Sequence, residues 1–254
     1  IPKYYWYNWN LFYDLSLYIL KPYFKKPKMK IKYLGQNCFL FTYKEKNILS
    51  DPFYNFQKEK SEFDIAAQKI DYVLITHAHG DHIADVKEVL QFHPDAQIIG
   101  QPEICGYFGH PNSIDINFGG SAKFLDLKIS MVPASHTSSF PDGTYGGEPC
   151  GYIFRFEGKN VYLAGDTGVM ADMELFPKLF GNIDLAILPI GSHYTMCARK
   201  ASFAASELLK TKKVIGCHFD TFPPIKINHD EAKTRFAEKK VELILPELGE
   251  TFEI

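Results

Sequence analysis

Residues 76–82 read THAHGDH, which sets His77, His79, Asp81 and His82 within six consecutive positions. Unpaired polar groups are costly to bury, so four such side chains after an apolar run call for a ligand. Neutral imidazole and carboxylate suit zinc, and also manganese, iron or nickel. Side chains alternate in an extended segment, so His77 and His79 point to one side and can hold one ion together. Gly80 permits a turn into a following helix. Asp81 and His82 then lie at that helix start and can address a second ion.

The same pattern recurs along the chain. The apolar run DYVLIT ends at His77, KISMVPAS at His136, VYLAG at Asp166, DLAILPIGS at His193 and KKVIGC at His218. Near-continuous apolar runs read as buried strands, and loops at strand ends carry function on a rigid scaffold. If these strands finish at one edge of layered sheets, seven potential ligands converge: His77, His79, Asp81, His82, His136, Asp166 and His218. A carboxylate bridging two ions suits Asp166, which sits in the glycine-bounded turn AGDTG.

The elements that must position these residues are mostly strands. From Met29 onward, IKYLG, NCFLFTY and KNILS suggest a β-meander. CGYIFRF and NVYLAG flank the turn EGK as a hairpin. Helical spacing appears over 82–92, with Ile83, Val86, Val89 and Leu90 on one face. It appears again over 198–210, through Ala201, Ala204, Ala205, Leu208 and Leu209. Asn228 and Glu231 form a capping-box-like start to a helix reaching about Lys239. No fixed-period repeat is visible. A chain of 254 residues, 46% hydrophobic with mixed charge, can bury one large core. Five cysteines, odd in number and without a CxxC pair, predict reduced thiols and a cytoplasmic setting. Cys217, beside His218, reads as a small buried hydrophobe in a strand.

Residues 1–28 differ from the rest and form a separate extension ahead of a domain over 29–254. They hold ten aromatics, both tryptophans, and Lys3, Lys21, Lys25, Lys26 and Lys28 against Asp14 alone. No clean apolar stretch with a cleavage site marks a secretory signal. Leu11 to Leu20 is too short, and too interrupted by Asp14, to span a bilayer. A basic, aromatic segment suits contact with a membrane surface or a partner, or packing on its own domain. With a net charge of −2 overall, the remainder of the chain is acidic. Nucleic acid is therefore not the expected partner, since its binding needs a basic surface. A small-molecule substrate is expected; oligomeric state is left open.

HAHGDH, PASHTSS, YLAGDTG, LPIGSHYTM and CHFDTFP, in this order, resemble the motifs of the metallo-β-lactamase superfamily. More closely, they resemble its small metal-dependent hydrolases related to ascorbate-6-phosphate lactonase and N-acyl-phosphatidylethanolamine phospholipase D. KIKYLGQNCFLF and ILSDPF also fit, and the resemblance runs from about Met29 to Ile254. It implies an α/β fold, a four-layer αββα sandwich, with a two-metal site at one edge. By matching position, His77, His79 and His136 would hold one ion, Asp81, His82 and His218 the other, with Asp166 bridging. Asp51 would support a histidine ligand from behind. Cys217 and Phe219 depart from residues usual in the subgroup, and neither removes a ligand.

That resemblance implies two divalent ions, zinc foremost, lowering the pKa of a shared water to give hydroxide near neutral pH. The expected reaction is hydrolysis of a small ester, lactone or phosphodiester, with Asp81 orienting the nucleophile. His193, in GSHYT, is expected to donate a hydrogen bond to the substrate oxyanion or to protonate the leaving group. Thr195, Thr221 and Tyr145 are weaker pocket candidates. His93, His110 and His229 read as solvent-facing or capping residues. A metal-dependent nuclease and a non-catalytic metal-binding or sensor protein are the alternatives.

Overall fold

In a computed structural model that describes residues 26–57 and 63–254, strand alternation sorts the apolar residues into three packed clusters. The first sheet holds β1 (Lys30–Gly35), β2 (Cys38–Tyr43), β3 (Lys46–Ser50), β4 (Tyr72–Leu74), β5 (Gln97–Gly100) and β6 (Ser113–Asp115). The second holds β7 (Ser121–Phe124), β8 (Leu127–Pro133), β9 (Cys150–Phe156), β10 (Lys159–Leu163), β11 (Leu185–Pro189), β12 (Lys213–Cys217) and β13 (Glu242–Ile244). A last strand, β14 (Thr251–Glu253), closes the outer edge of β1.

Phe39 and Phe41 of β2 join Tyr152 and Phe154 of β9 in a cluster between the two sheets. Their neighbours Cys38 and Leu40 face the other way, toward α1 (Gly80–Ile83), α2 (Val86–Phe92) and α3 (Pro102–Phe108). Ile153 and Tyr162 likewise face α4 (Leu175–Phe180), α5 (Ala198–Phe203) and α6 (His229–Glu238). Three apolar interfaces between four layers make the αββα sandwich. Phe41 and Phe154 stack across the central interface at 4.6 Å between ring centroids, a pairing worth about 1 kcal/mol beyond its buried area.

Each sheet combines three antiparallel pairings with three parallel ones. β14–β1–β2–β3 are antiparallel and β3–β4–β5–β6 parallel. β7–β8–β9–β10 and β10–β11–β12–β13 repeat the arrangement. β8 and β10 both oppose β9, so they run the same way, and β12 runs with β10. The carboxyl ends of β3 and β4 in one sheet, and of β8, β10 and β12 in the other, thus finish at one edge. The β9–β10 hairpin turns at Glu157 and Gly158, both at positive φ, as the twist of a two-residue hairpin requires.

Two helices differ from the sequence expectation. The helix expected over 82–92 is split at Ala84–Asp85. The Asp85 N–H donates to the Pro52 carbonyl (3.0 Å) and so leaves the helical ladder. The helix expected over 198–210 ends as α-helix at Phe203 and continues as a π-helical turn, Ala204–Leu208. Leu209 N donates to Ala204 O at 2.9 Å, and the wider turn leaves Leu208 only half-buried while Leu209 is buried. Asn228 caps α6 as expected, accepting from Glu231 N.

The extension read from the sequence as 1–28 lies outside the described residues except for its last three. Of these, Lys28 pairs with Glu253 at 3.0 Å. Among the described residues no helix is long and apolar enough to cross a membrane.

Candidate metal centre

The shared edge gathers polar side chains that the chain distributes widely. Asp51 follows β3 with φ of 39°, an uncommon conformation for a residue with a side chain. Fully buried, it accepts from Thr76 N (2.8 Å), Thr76 Oγ1 (2.7 Å) and His82 Nδ1 (2.8 Å). One carboxylate therefore ties the ends of β3 and β4 to α1 and fixes the His82 ring. Gln36 and Asn37, at the tip of the β1–β2 hairpin, reach the same edge and are also fully buried. Gln36 Nε2 donates to Asp81 Oδ2, and Asn37 Nδ2 to Asp166 Oδ1, both at 2.7 Å. The His136 loop is pinned to the Asp166 loop by Ser135 N donating to Thr167 Oγ1 and Gly168 N donating to Ser135 O. His218 follows β12 at φ 53°, its N–H donating to Gln36 O.

All seven sequence-predicted ligands converge. Asp166 Oδ2 lies 3.0 Å from His218 Nε2, 3.5 Å from His136 Nε2 and 3.6 Å from His82 Nε2. Asp81 Oδ2 lies 3.4 Å from His218 Nε2 and 3.6 Å from His82 Nε2. His77 Nε2 and His79 Nδ1 are 3.0 Å apart. Three triads bring their ligand atoms within 4.8 Å of one another: His77, His79 and His136; His77, His82 and Asp166; Asp81, His82 and His218.

The electrostatics fit a cation. Burial and the neighbouring His82 hold His77 well below the usual imidazole range, and burial also lowers His79 and His136. Burial thus favours the neutral form of these three rings, the form that can ligate a metal. Burial disfavours charge on His82 and His218 too, but Asp166 and Asp81 outweigh it, pushing His218 up to about 9 and His82 well above its ordinary value. Burial would raise the Asp166 carboxyl, and the same two rings instead hold it well below the carboxylate range. Protons on His82 and His218 thus supply positive charge that the buried Asp166 and the partly exposed Asp81 demand and that a divalent ion would supply better. The buried His82 Nε2 has no hydrogen-bond partner, an orphan that a metal ion would satisfy. Imidazole and carboxylate together are the donor set of zinc, manganese or iron sites.

A cavity of about 480 Å³ opens over this cluster. His79, Asp81, His136, Asp166 and His218 line it together with Gly80, Thr137, Tyr194, Phe222 and Pro224.

The family description "Beta-lactamase superfamily domain" matches residues 46–219. A metal-dependent hydrolase of Flavobacterium johnsoniae is 43% identical over 228 residues, 89% of this chain and 100% of its own length. One from Pyrococcus furiosus is 39% identical over 232 residues, with the same coverage. The structure of Igni18, a metallo hydrolase from the archaeon Ignicoccus hospitalis, superposes with a TM-score of 0.79. It is 34% identical, covering 89% of this chain and 98% of that one. The chain belongs to the beta-lactamase superfamily, in a family of metal-dependent hydrolases.

Within this superfamily member, His193 stands apart from the other candidates. It is exposed, at φ 47°, and outside the cavity wall, with its ring edge-on to Tyr194 at 4.5 Å. Tyr194 itself lines the cavity. Tyr145 is exposed and donates to Glu148, and Thr221 Oγ1 turns back to the Phe219 carbonyl. Thr195 Oγ1 is buried without a partner. His93 and His110 do not simply face solvent: their Nε2 atoms meet the carbonyls of Ile65 and Ala96. His229 is exposed and pairs with Asp220 at 2.6 Å. Cys217 is fully buried at the end of β12.

Sequence reasoning missed Gln36, Asn37, Thr137, Tyr194, Phe222 and Pro224. Two adjacent amides between apolar strands were the available signal for the first pair. Gly165, at φ +62°, delivers Asp166 into the centre. A Cβ there would meet the Cys150 carbonyl oxygen at 2.7 Å and Thr76 Cβ at 2.9 Å. Gly165→Ala is expected to cost about 1–3 kcal/mol of stability and to lower metal content. Thermal denaturation and elemental analysis check this; wild-type values for both would show that the turn yields without moving Asp166.

Proposed function

We propose that this metal-dependent hydrolase holds two divalent cations, zinc foremost, and cleaves a small ester, lactone or phosphodiester. His77, His79 and His136 would take one ion, Asp81, His82 and His218 the other, and Asp166 would bridge them. The single observation that carries this reading is the position of Asp166 Oδ2, within 3.6 Å of imidazole nitrogens from three separate segments. When bound, two such ions supply an activated water at neutral pH and a Lewis acid for charge developing on the substrate. The chain's own residues do the rest. Asp51 accepts the His82 Nδ1–H and so directs the Nε2 lone pair at the centre. Gln36 and Asn37 fix the two carboxylates by donating to one oxygen of each. Asp81, whose side chain is 26% exposed, faces the cavity and orients the attacking water through a hydrogen bond. His193 acts through Tyr194, by setting the orientation of a ring that lines the cavity.

Free cysteines, four of five buried, support a reducing, cytoplasmic setting. Membrane-surface contact is proposed for residues 1–28 on the strength of their lysines and aromatics.

The test is hydrolysis of generic lactone, carboxylic ester and phosphodiester probes by the full chain, before and after chelation. Turnover that disappears with chelator and returns with zinc or manganese is the expected result. His193→Ala is expected to lower that turnover at unchanged metal content. Bound metal without hydrolysis of any probe would favour the non-catalytic metal-binding alternative.

A further inference from the structure

Apart from the candidate metal ligands, the lining of the cavity carries no cationic side chain. Among the described residues that line it, none is lysine or arginine. A substrate phosphate has no guanidinium or ammonium partner there, although such anions are ordinarily held by those groups. Besides Thr137 and the Tyr194 hydroxyl, these remaining lining residues are apolar. Phe222 lines the cavity and packs against Phe56 at 5.1 Å and Phe53 at 6.1 Å between ring centroids. Phe53 and Phe56 stack at 5.1 Å with only 15° between their planes. Phe56 is 55% exposed, so the three rings form a shelf that runs from the cavity outward.

This shelf is held in register with the ligands. Phe53 follows Asp51, the residue that orients His82, by two positions, and Phe222 follows His218 by four. Asp220 accepts from Ile227 N at 2.9 Å and pairs with His229, which closes the loop carrying Phe222. Exposed aromatic rings beside polar hydrolytic machinery suit a flat or alkyl apolar group, because ring stacking and burial favour it while the ligands bind the polar end.

We infer that the substrate is an uncharged carboxylic ester or lactone whose apolar substituent rests on the shelf of Phe53, Phe56 and Phe222. The inference rests on the hydrolytic reading above. In the reaction, the oxygen of water bonds to the carbonyl carbon and the C–O bond to the alcohol breaks. The alcohol leaves with one proton of water, and the acid keeps the other.

Calorimetric titration of the metal-loaded full chain with phenylacetate, acetate and inorganic phosphate tests the shelf without requiring turnover. Phenylacetate is expected to bind at least about tenfold more tightly than either other anion. Phe56→Ala and Phe222→Ala are each expected to shrink that ratio by more than about threefold, at unchanged metal content. Phe56 is half-exposed, so its variant keeps the fold. Equal binding of phenylacetate and acetate, tightest binding of phosphate, or a ratio that survives both substitutions would overturn the inference. The expected ratios without cleavage of any ester would support the shelf and overturn the hydrolytic reading, so the two failures are told apart.

Discussion

Asp166→Asn is expected to lower turnover more than about 100-fold and to deplete bound metal while leaving the fold intact. Losses of 10–100-fold are usual for residues that merely support a ligand, and Asp166 is placed as a ligand itself. The argument rests on both of its oxygens. Oδ1 accepts from Asn37 Nδ2, while Oδ2 faces His82, His136 and His218. An asparagine that keeps the Asn37 hydrogen bond must turn its NH₂ toward the three rings, where it cannot ligate. The reverse rotamer sets NH₂ against NH₂. Either way a negative charge is lost from the centre, and the shape is conserved. Elemental analysis, steady-state kinetics and circular dichroism on the variant check the three parts. Normal turnover and metal content would remove Asp166 from the bridging position.

The second large effect concerns metal itself. Protein purified without added chelator or metal is expected to carry about two ions per chain, as two-metal hydrolytic sites do. His77→Ala is expected to carry one or none. His77 is completely buried and belongs to two of the three triads, so its loss opens both. Metal at one hundred times its dissociation constant stabilises a fold by about 2.7 kcal/mol. For a chain of this size that corresponds to a rise of about 5–10 °C in melting temperature, reversed by chelation. No metal after reconstitution with zinc or manganese would leave THAHGDH without a function here.

The cluster at 77–82 is legible because four candidate ligands fall within six positions, and one helix turn suffices to aim them. His136, Asp166 and His218 are single residues far apart, and the recurring apolar run before each, together with the motif resemblance, pointed to them. Gln36 and Asn37 are a different matter. Asn37 meets Asp166 across 129 positions, and no local pattern encodes that contact. The same holds for the break in the helix over 82–92, where the acceptor of the Asp85 N–H is the carbonyl of Pro52. The three-ring shelf escaped notice because Phe53 and Phe222 belong to different sheets' loops and meet only after folding. His193 shows the reverse case. Its place after an apolar run matched the candidate ligands, but the chain turns at Ser192 and His193, both at positive φ, and presents Tyr194 to the cavity instead.

Each candidate triad draws at least one ligand from each sheet: His136 completes the first, Asp166 the second and His218 the third. Neither half of the sandwich owns a finished claw. A nascent chain that has folded only its first sheet exposes His77, His79, Asp81 and His82 without the partners that would lock an ion in place. Each candidate metal site is therefore complete only when the two sheets are docked. An ion held by any of these triads would tie one sheet to the other.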